Sequence, residues 1–336
     1  MDNQTPINFF SKYKKHLLIA LASAVFAILA VFSYLIFFQT VDHNSGPKRF
    51  VVSLNMDTKE SIIASIKSAG FVKNSFFLNI ALLMRDVSKI DSGAYKISES
   101  MTVWQIAGVL SGKSYMKWVV IPEGLRKEEI ADILSEDLGW TTEEKNKWIN
   151  VYTASDPDYI EGVYFPDTYL IPIDESPSDV AKRLRTKFEE KFSPYAKEVL
   201  KQDIKWTTLL KLASIVQREA RGKEDMPLVA GILWNRLLKE MRLEVDCTLQ
   251  YIRGDKGKGF WAPINVEDKK IDSPYNTYKY GGLPPHPISN PGINAIEAIL
   301  YPEKTDCMFY IHDSKGIIHC ALTYDEHLKN IKKYLK

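Results

Sequence analysis

Cysteine is scarce in this chain: Cys247, Cys307 and Cys320 are the 3 present among 336 residues. An odd, low count excludes a fold stapled by several disulfides. Cys307 and Cys320 flank a hairpin-like turn around residues 313–316, where one disulfide is an option. The other option is three small buried apolar residues, the commoner use of free cysteine. An excess of charge of one sign is missing too. Lys and Arg total 44 against 42 Asp and Glu, a net charge of +2, and no long basic block stands outside the N-terminus. Nothing there favours a nucleic-acid partner. The chain has no Gly-rich phosphate loop, no HExxH and no G-x-S-x-G; its 6 His are scattered and its cysteines lack metal-ligand spacing. Phosphate-binding, zinc and serine-nucleophile chemistries therefore have no local support, and no metal or cofactor is expected.

Long apolar runs are absent with one exception. Residues 17–38, LLIALASAVFAILAVFSYLIFF, carry no charge. At about 1.5 Å per residue they reach roughly 30 Å, the thickness of a bilayer's hydrocarbon layer. Lys12, Lys14, Lys15 and His16 precede the run and Asp42 follows it. This asymmetry places residues 1–16 in the cytoplasm and the rest outside. A cleaved signal peptide is the competing reading, but Ile36-Phe37-Phe38-Gln39 is a poor cleavage site, so a single-pass anchor is expected.

Residues 39–49, with Asn44, Ser45, Gly46 and Pro47, read as a linker. Beyond it the pattern predicts an α+β chain. Short β-like runs at residues 50–54, 94–97 and 118–121 each lead into a helix with i, i+3, i+4 apolar spacing, closed by Gly70, Gly112 and Gly139. These make a small α+β domain over residues 50–140. A mainly helical α+β domain follows over residues 141–336, with helices expected near 143–150, 177–192 and 207–221. A hairpin pairs residues 308–312 with 317–322, and a last helix covers 324–335.

The most informative helix ends in Ala213-Ser214-Ile215-Val216-Gln217-Arg218-Glu219. Glu219 continues the apolar stripe of Leu209, Leu212, Ala213 and Val216, and it falls in the last turn before Gly222. Burial and the negative end of the helix dipole both disfavour a charged carboxyl there. A neutral carboxyl is what a general acid for glycosidic cleavage requires. The bland alternative is an ion pair with Arg218, Arg221 or Arg236. A second segment, residues 273–292, is too rich in Pro and Gly for helix or central strand. Its Tyr275, Asn276, Thr277 and Tyr278 together offer the flat faces and hydrogen-bonding groups of a sugar cleft, though any one tyrosine taken singly is more readily a packed loop residue.

These strings resemble those of the endolytic murein transglycosylases, the YceG-like proteins. Residues 213–219 match the pattern A-S-I-V-x-[KR]-E around that family's catalytic Glu. Ile121-Pro122-Glu123-Gly124 resembles I-P-E-G, and Glu161-Gly162 with Phe165-Pro166-Asp167-Thr168-Tyr169 resembles E-G-x-x-F-P-D-T-Y. Asn235-Arg236-Leu237 resembles N-R-L. Tyr275-Asn276-Thr277-Tyr278 and the Pro-rich string over 282–292 match as well. The resemblance covers roughly residues 50–336. Departures are Gln217, where Glu is frequent, Cys247 in place of Pro, His286 in place of Gly, and Ile318-His319-Cys320 where H-x-F is favoured.

The resemblance implies a LysM-like, glycan-holding first domain and an enzyme that cuts the β-1,4 bond between N-acetylmuramic acid and N-acetylglucosamine within strands. The product is a 1,6-anhydro end, and the outcome is termination of strand elongation. Glu219 would be the catalytic acid. Gln217, Asn235, Arg236, Asp246 and Thr248 join residues 275–278 as candidate substrate-binding positions. Peptidoglycan, the inner membrane and the peptidoglycan synthases are the implied partners. The runners-up are a muramidase that uses water as acceptor and a non-catalytic, membrane-tethered wall-binding scaffold.

Overall fold

The computed structural model describes residues 9–335 apart from Asp57, and it divides them between Trp118 and Val119 into two compact units. In the first, helix α1 (Phe9–Phe37) has no acidic residue in its first turn and none along its length. Its stretch Tyr13–Phe37 is, among the described residues, the one helix long and apolar enough to cross a membrane, as a single-pass anchor would be. Strand β1 (Lys48–Val52) follows, then α2 (Lys59–Ser68) and α3 (Ser75–Met84), whose N-termini are capped by the side chains of Thr58 and Asn74. Strand β2 (Gly93–Ile97) pairs antiparallel with β1, Lys48 opposite Ile97 and Val52 opposite Gly93. Helix α4 (Val103–Leu110) opens on a capping box of Thr102 and Gln105. Strand β3 (Met116–Val120) meets β2 at Ala94 opposite Met116. Val52, Ile62, Ile66, Leu78, Leu82, Tyr95, Ile97, Ile106 and Leu110 form this unit's core.

Helix α3 is the element the apolar pattern does not announce. Its sequence, SFFLNIALLM, is apolar on every side, so burial of Leu78, Ala81 and Leu82 leaves no polar face to give a helical period. Phe76, Leu83 and Met84 stay exposed.

In the second unit, α5 (Lys127–Leu138) buries Ile130, Ala131, Leu134 and Leu138. The helix that the sequence places in the first domain thus shares the core of the second unit. The helix expected over residues 143–150 is α6 (Thr142–Lys147), continued by a π-helical turn over Trp148–Tyr152. Strand β4 (Thr168–Pro172) follows residue Asp167, whose carbonyl accepts from the Ile121 amide at 3.0 Å. Helix α7 (Pro177–Phe192) covers the span expected of it, buries Val180, Ala181, Leu184 and Phe188, and is capped at its start by the Ser176 side chain. After the short α8 (Ala196–Lys201), helix α9 (Trp206–Glu219) runs through the core. It packs on α10 (Met226–Leu238), α11 (Asp246–Arg253) and α12 (Ile293–Leu300). Strands β5 (Phe309–His312) and β6 (Ile318–Ala321) form an antiparallel hairpin, and α13 (Tyr324–Tyr334) packs against it. Cys307 and Cys320 are joined, leaving Cys247 as the free, buried thiol.

Candidate active site

The strings singled out in the sequence meet around one residue, Asn290. Its side-chain amide donates to the Leu125 carbonyl at 3.0 Å and to Glu161 Oε1 at 2.5 Å, and its Oδ1 accepts from the Tyr164 amide at 2.8 Å. Its backbone carbonyl accepts from Gly124 at 2.8 Å. Helix α9 grips the same loop. Ser214 Oγ accepts from the Ile288 amide at 3.0 Å, and Gln217 Oε1 accepts from the Gly292 amide at 3.0 Å. Gly162 has φ +87° with Pro287 Cγ only 2.8 Å from where a Cβ would sit, so glycine is required there. Glu161 is wholly buried. Desolvation, with the Glu128 charge adding to it, raises its pKa to about 8.

This knot holds the C-terminal end of α9, where Glu219 is the last helical residue and half-buried. Two elements distant in sequence close on its carboxyl. From β5, the Tyr310 hydroxyl donates to Oε2 at 2.8 Å. From the first turn of α11, the Cys247 amide approaches Oε1 at 3.5 Å, the outer limit of a hydrogen bond. The carboxyl therefore stands between the negative end of α9 and the positive end of α11. Burial, then the adjoining Glu219, pushes both the Tyr310 phenol and the Cys247 thiol well above their ordinary values, so each stays neutral.

Two of the three expected arginine partners, Arg218 and Arg236, are engaged elsewhere. Arg236 is buried and donates to the carbonyls of Met308, at 2.6 Å, and Leu243. Arg218 lies over the Trp261 ring, 3.8 Å from its centroid. Asn235 donates to the carbonyls of Thr305 and Cys307 at 2.7 and 3.1 Å. The Asn235-Arg236 pair thus fixes the start of β5, and with it Tyr310. His312, on the same face of the strand, reaches Asp225 at 3.1 Å.

Among the tyrosine-loop residues the structure separates two groups. Asn276, Thr277 and Thr248 are fully buried with their polar groups turned to the protein: Asn276 to the carbonyls of Lys269 and Ile271, and the two threonine hydroxyls to each other at 2.9 Å. Tyr275 packs on Tyr251, ring centroids 5.0 Å apart. Tyr278 is half-buried, and its hydroxyl donates to Asp246 Oδ1 at 2.5 Å. Asp246 is exposed next to Cys247. Glu219, Tyr310, Asp246 and Tyr278 are thus polar residues near the end of α9 that are not fully buried. Of these, sequence reasoning missed Tyr310. Its only signal was the period-2 pattern of an ordinary hairpin.

The sequence model of the YceG-like family matches residues 52–333. A curated relative from Bacillus subtilis, named endolytic murein transglycosylase, is 29% identical over 84% of this chain and 85% of its own length. A relative of the same name from Streptococcus pneumoniae is 24% identical over 82% of this chain, which spans 56% of that longer protein. The crystal structure of a yceG-like protein from Listeria monocytogenes superposes with a TM-score of 0.59, at 27% identity, over 85% of this chain and 99% of that one.

Proposed function

Because this chain belongs to the YceG-like family, we propose that it is an endolytic transglycosylase of peptidoglycan, with Glu219 as its acid and then its base. The observation that carries the assignment of roles is the unequal use of the carboxyl's two oxygens. Oε2 accepts from Tyr310 at 2.8 Å, whereas Oε1 meets the Cys247 amide only at the 3.5 Å limit. Oε1 is the oxygen free to hold a proton and deliver it to the leaving glycosidic oxygen. Tyr310 then stabilises the carboxylate that remains. The substrate's 2-acetamido group supports C1, Glu219 takes the proton of the C6 hydroxyl, and that oxygen closes the 1,6-anhydro ring. One carboxyl suffices for both proton transfers, unlike the flanking pair of most glycosidases. Asp246, its Oδ1 occupied by Tyr278, positions rather than reacts.

The part of the first unit that follows α1 is read as a LysM-like module holding glycan near the membrane; its place in the chain between α1 and the catalytic unit supports this. The basic residues before α1 support a cytoplasmic N-terminus. The Cys307–Cys320 bond, of a kind that persists in oxidising compartments, supports the same orientation. An enzyme so tethered reaches newly made strands, making it a terminator of their elongation and a neighbour of the synthases.

The test is digestion of purified peptidoglycan by the full chain in detergent, with products read by mass. Wild type yields 1,6-anhydro ends, and Glu219→Gln, folded by circular dichroism, yields none. Free reducing ends would mark a muramidase instead, and binding without cleavage a scaffold.

A further inference from the structure

The first unit has an apolar surface next to the end of α1. That helix is bare along most of its length, with Val31 58% exposed, and gains protein cover only over its last turns. Phe32 meets Phe77 of α3 with ring centroids 5.4 Å apart, Ile36 is 1% exposed, and Phe37 meets Trp104 of α4 at 5.1 Å. A crossing that begins at Leu17, just past Lys14, Lys15 and His16, uses up about 30 Å of hydrocarbon near Ile36. Phe32 then lies about 6 Å inside the boundary, and α3, which touches it, lies at that depth too.

The surface of α3 suits this depth. It carries no charge and exposes Phe76, Leu83 and Met84 at 56%, 58% and 57%. Three such side chains on one helix are an unfavourable surface to leave in water. The helix is bracketed by cations: Lys73 precedes it, and Arg85 follows it with the guanidinium 4.0 Å from the centre of the Trp104 ring. An apolar face, an aromatic ring at the boundary and cations at both ends are the composition of a helix lying in the membrane interface. The chain leaving α1 is also not a free tether. The amides of Val41 and Asp42 donate to the Glu99 carbonyl at 2.9 and 3.0 Å, and the Ser45 carbonyl accepts from Ser98 Oγ at 2.6 Å.

We propose that α3 is embedded in the leaflet of the bilayer at which α1 ends, with Phe76, Leu83 and Met84 among the acyl chains. The occupant of this face is lipid, because the contact with Phe32 sets the depth of α3 within the hydrocarbon layer. The first unit is thereby docked on the membrane at two places, α1 and α3. This rests on α1 spanning the bilayer.

The test places a benzoylphenylalanine photo-crosslinker at Phe76, Leu83 or Met84 of the full chain, and at Leu29 of α1 for comparison, in membranes of expressing cells. All four sites are exposed, so the fold tolerates the substitution. Phospholipid adducts at 76, 83 and 84, in yields comparable with Leu29, are expected. Lipid adducts at Leu29 with none at the α3 sites overturn the proposal, as do α3 adducts only to a second copy or to another protein. Absence of lipid adducts at Leu29 itself overturns the spanning of α1, and with it the placement of α3.

Discussion

Tyr310 and Glu219 form a pair in which a neutral phenol serves one oxygen of a carboxyl and leaves the other free. A hydrogen bond to a charged group contributes about 1.5–3 kcal/mol, roughly a factor of 10–150 in rate if it acts in the transition state alone. Tyr310→Phe keeps the ring and removes the donor. Its kcat for anhydro-end formation should fall within that range with KM unchanged, measured on soluble glycan strands. A fall in KM-dependent binding alone would remove Tyr310 from the chemistry. Glu161 gives a prediction of another kind. Its folded pKa of about 8 lies above its ordinary value of 4.5, so its stabilising contribution is fully present below about 4.5 and is lost as pH rises through about 8. Thermal melts of the wild type should therefore drop between about pH 4.5 and about 8 and level off above that. Glu161→Gln, which keeps an oxygen for Lys127 and Asn290, should flatten that drop, and an unchanged slope would exclude Glu161 as its source.

The hairpin of β5 and β6 is the element on which the site depends most. Asn235 and Arg236 hold its first strand, the Cys307–Cys320 bond ties its two strands, and Asn330 of α13 donates to the Cys320 carbonyl at 3.2 Å. A disulfide closing a loop of this length, 13 residues apart, contributes about 3 kcal/mol. Cys307→Ala with Cys320→Ala should lower the thermal midpoint and cut activity further than that loss of folded protein explains, because Tyr310 then loses its register against Glu219. Activity that tracks only the folded fraction would place Tyr310 outside the mechanism.

Legibility also divides at this scale. Helix α7 was readable because one face is apolar and the other charged. Helices α10 and α12 bury apolar residues on nearly all sides, and α3 is apolar on its exposed side as well, so none offers such a contrast. Strand β4 is five residues with two buried, too short to stand out. Glu219 was legible because its stripe is local to one helix. Tyr310 was not, because the contact spans 91 positions. Asn276 and Thr277 read equally well as ligand-facing or loop-holding, since residue type does not tell which way a polar group turns.

For the whole molecule, the proposed anchoring by α1 would decide which substrate is within reach. Replacing α1 with a cleavable export signal should leave cleavage of isolated peptidoglycan intact while abolishing function in cells. The measure is glycan strand length in the wall of a strain carrying only that version. Wild-type strand lengths would show that tethering is dispensable.

The pairing of Glu219 with Tyr310 also bears on when the enzyme becomes dangerous. A ribosome finishes Glu219 91 residues before Tyr310. On the proposed assignment of Glu219 and the proposed orientation, a nascent chain crossing the membrane would carry the acid without the strand that holds it, and that strand would be sealed only where thiols can oxidise. Wall cutting would then wait until translation and translocation had run past the hairpin, and a product truncated before Tyr310 would lack the partner of its acid.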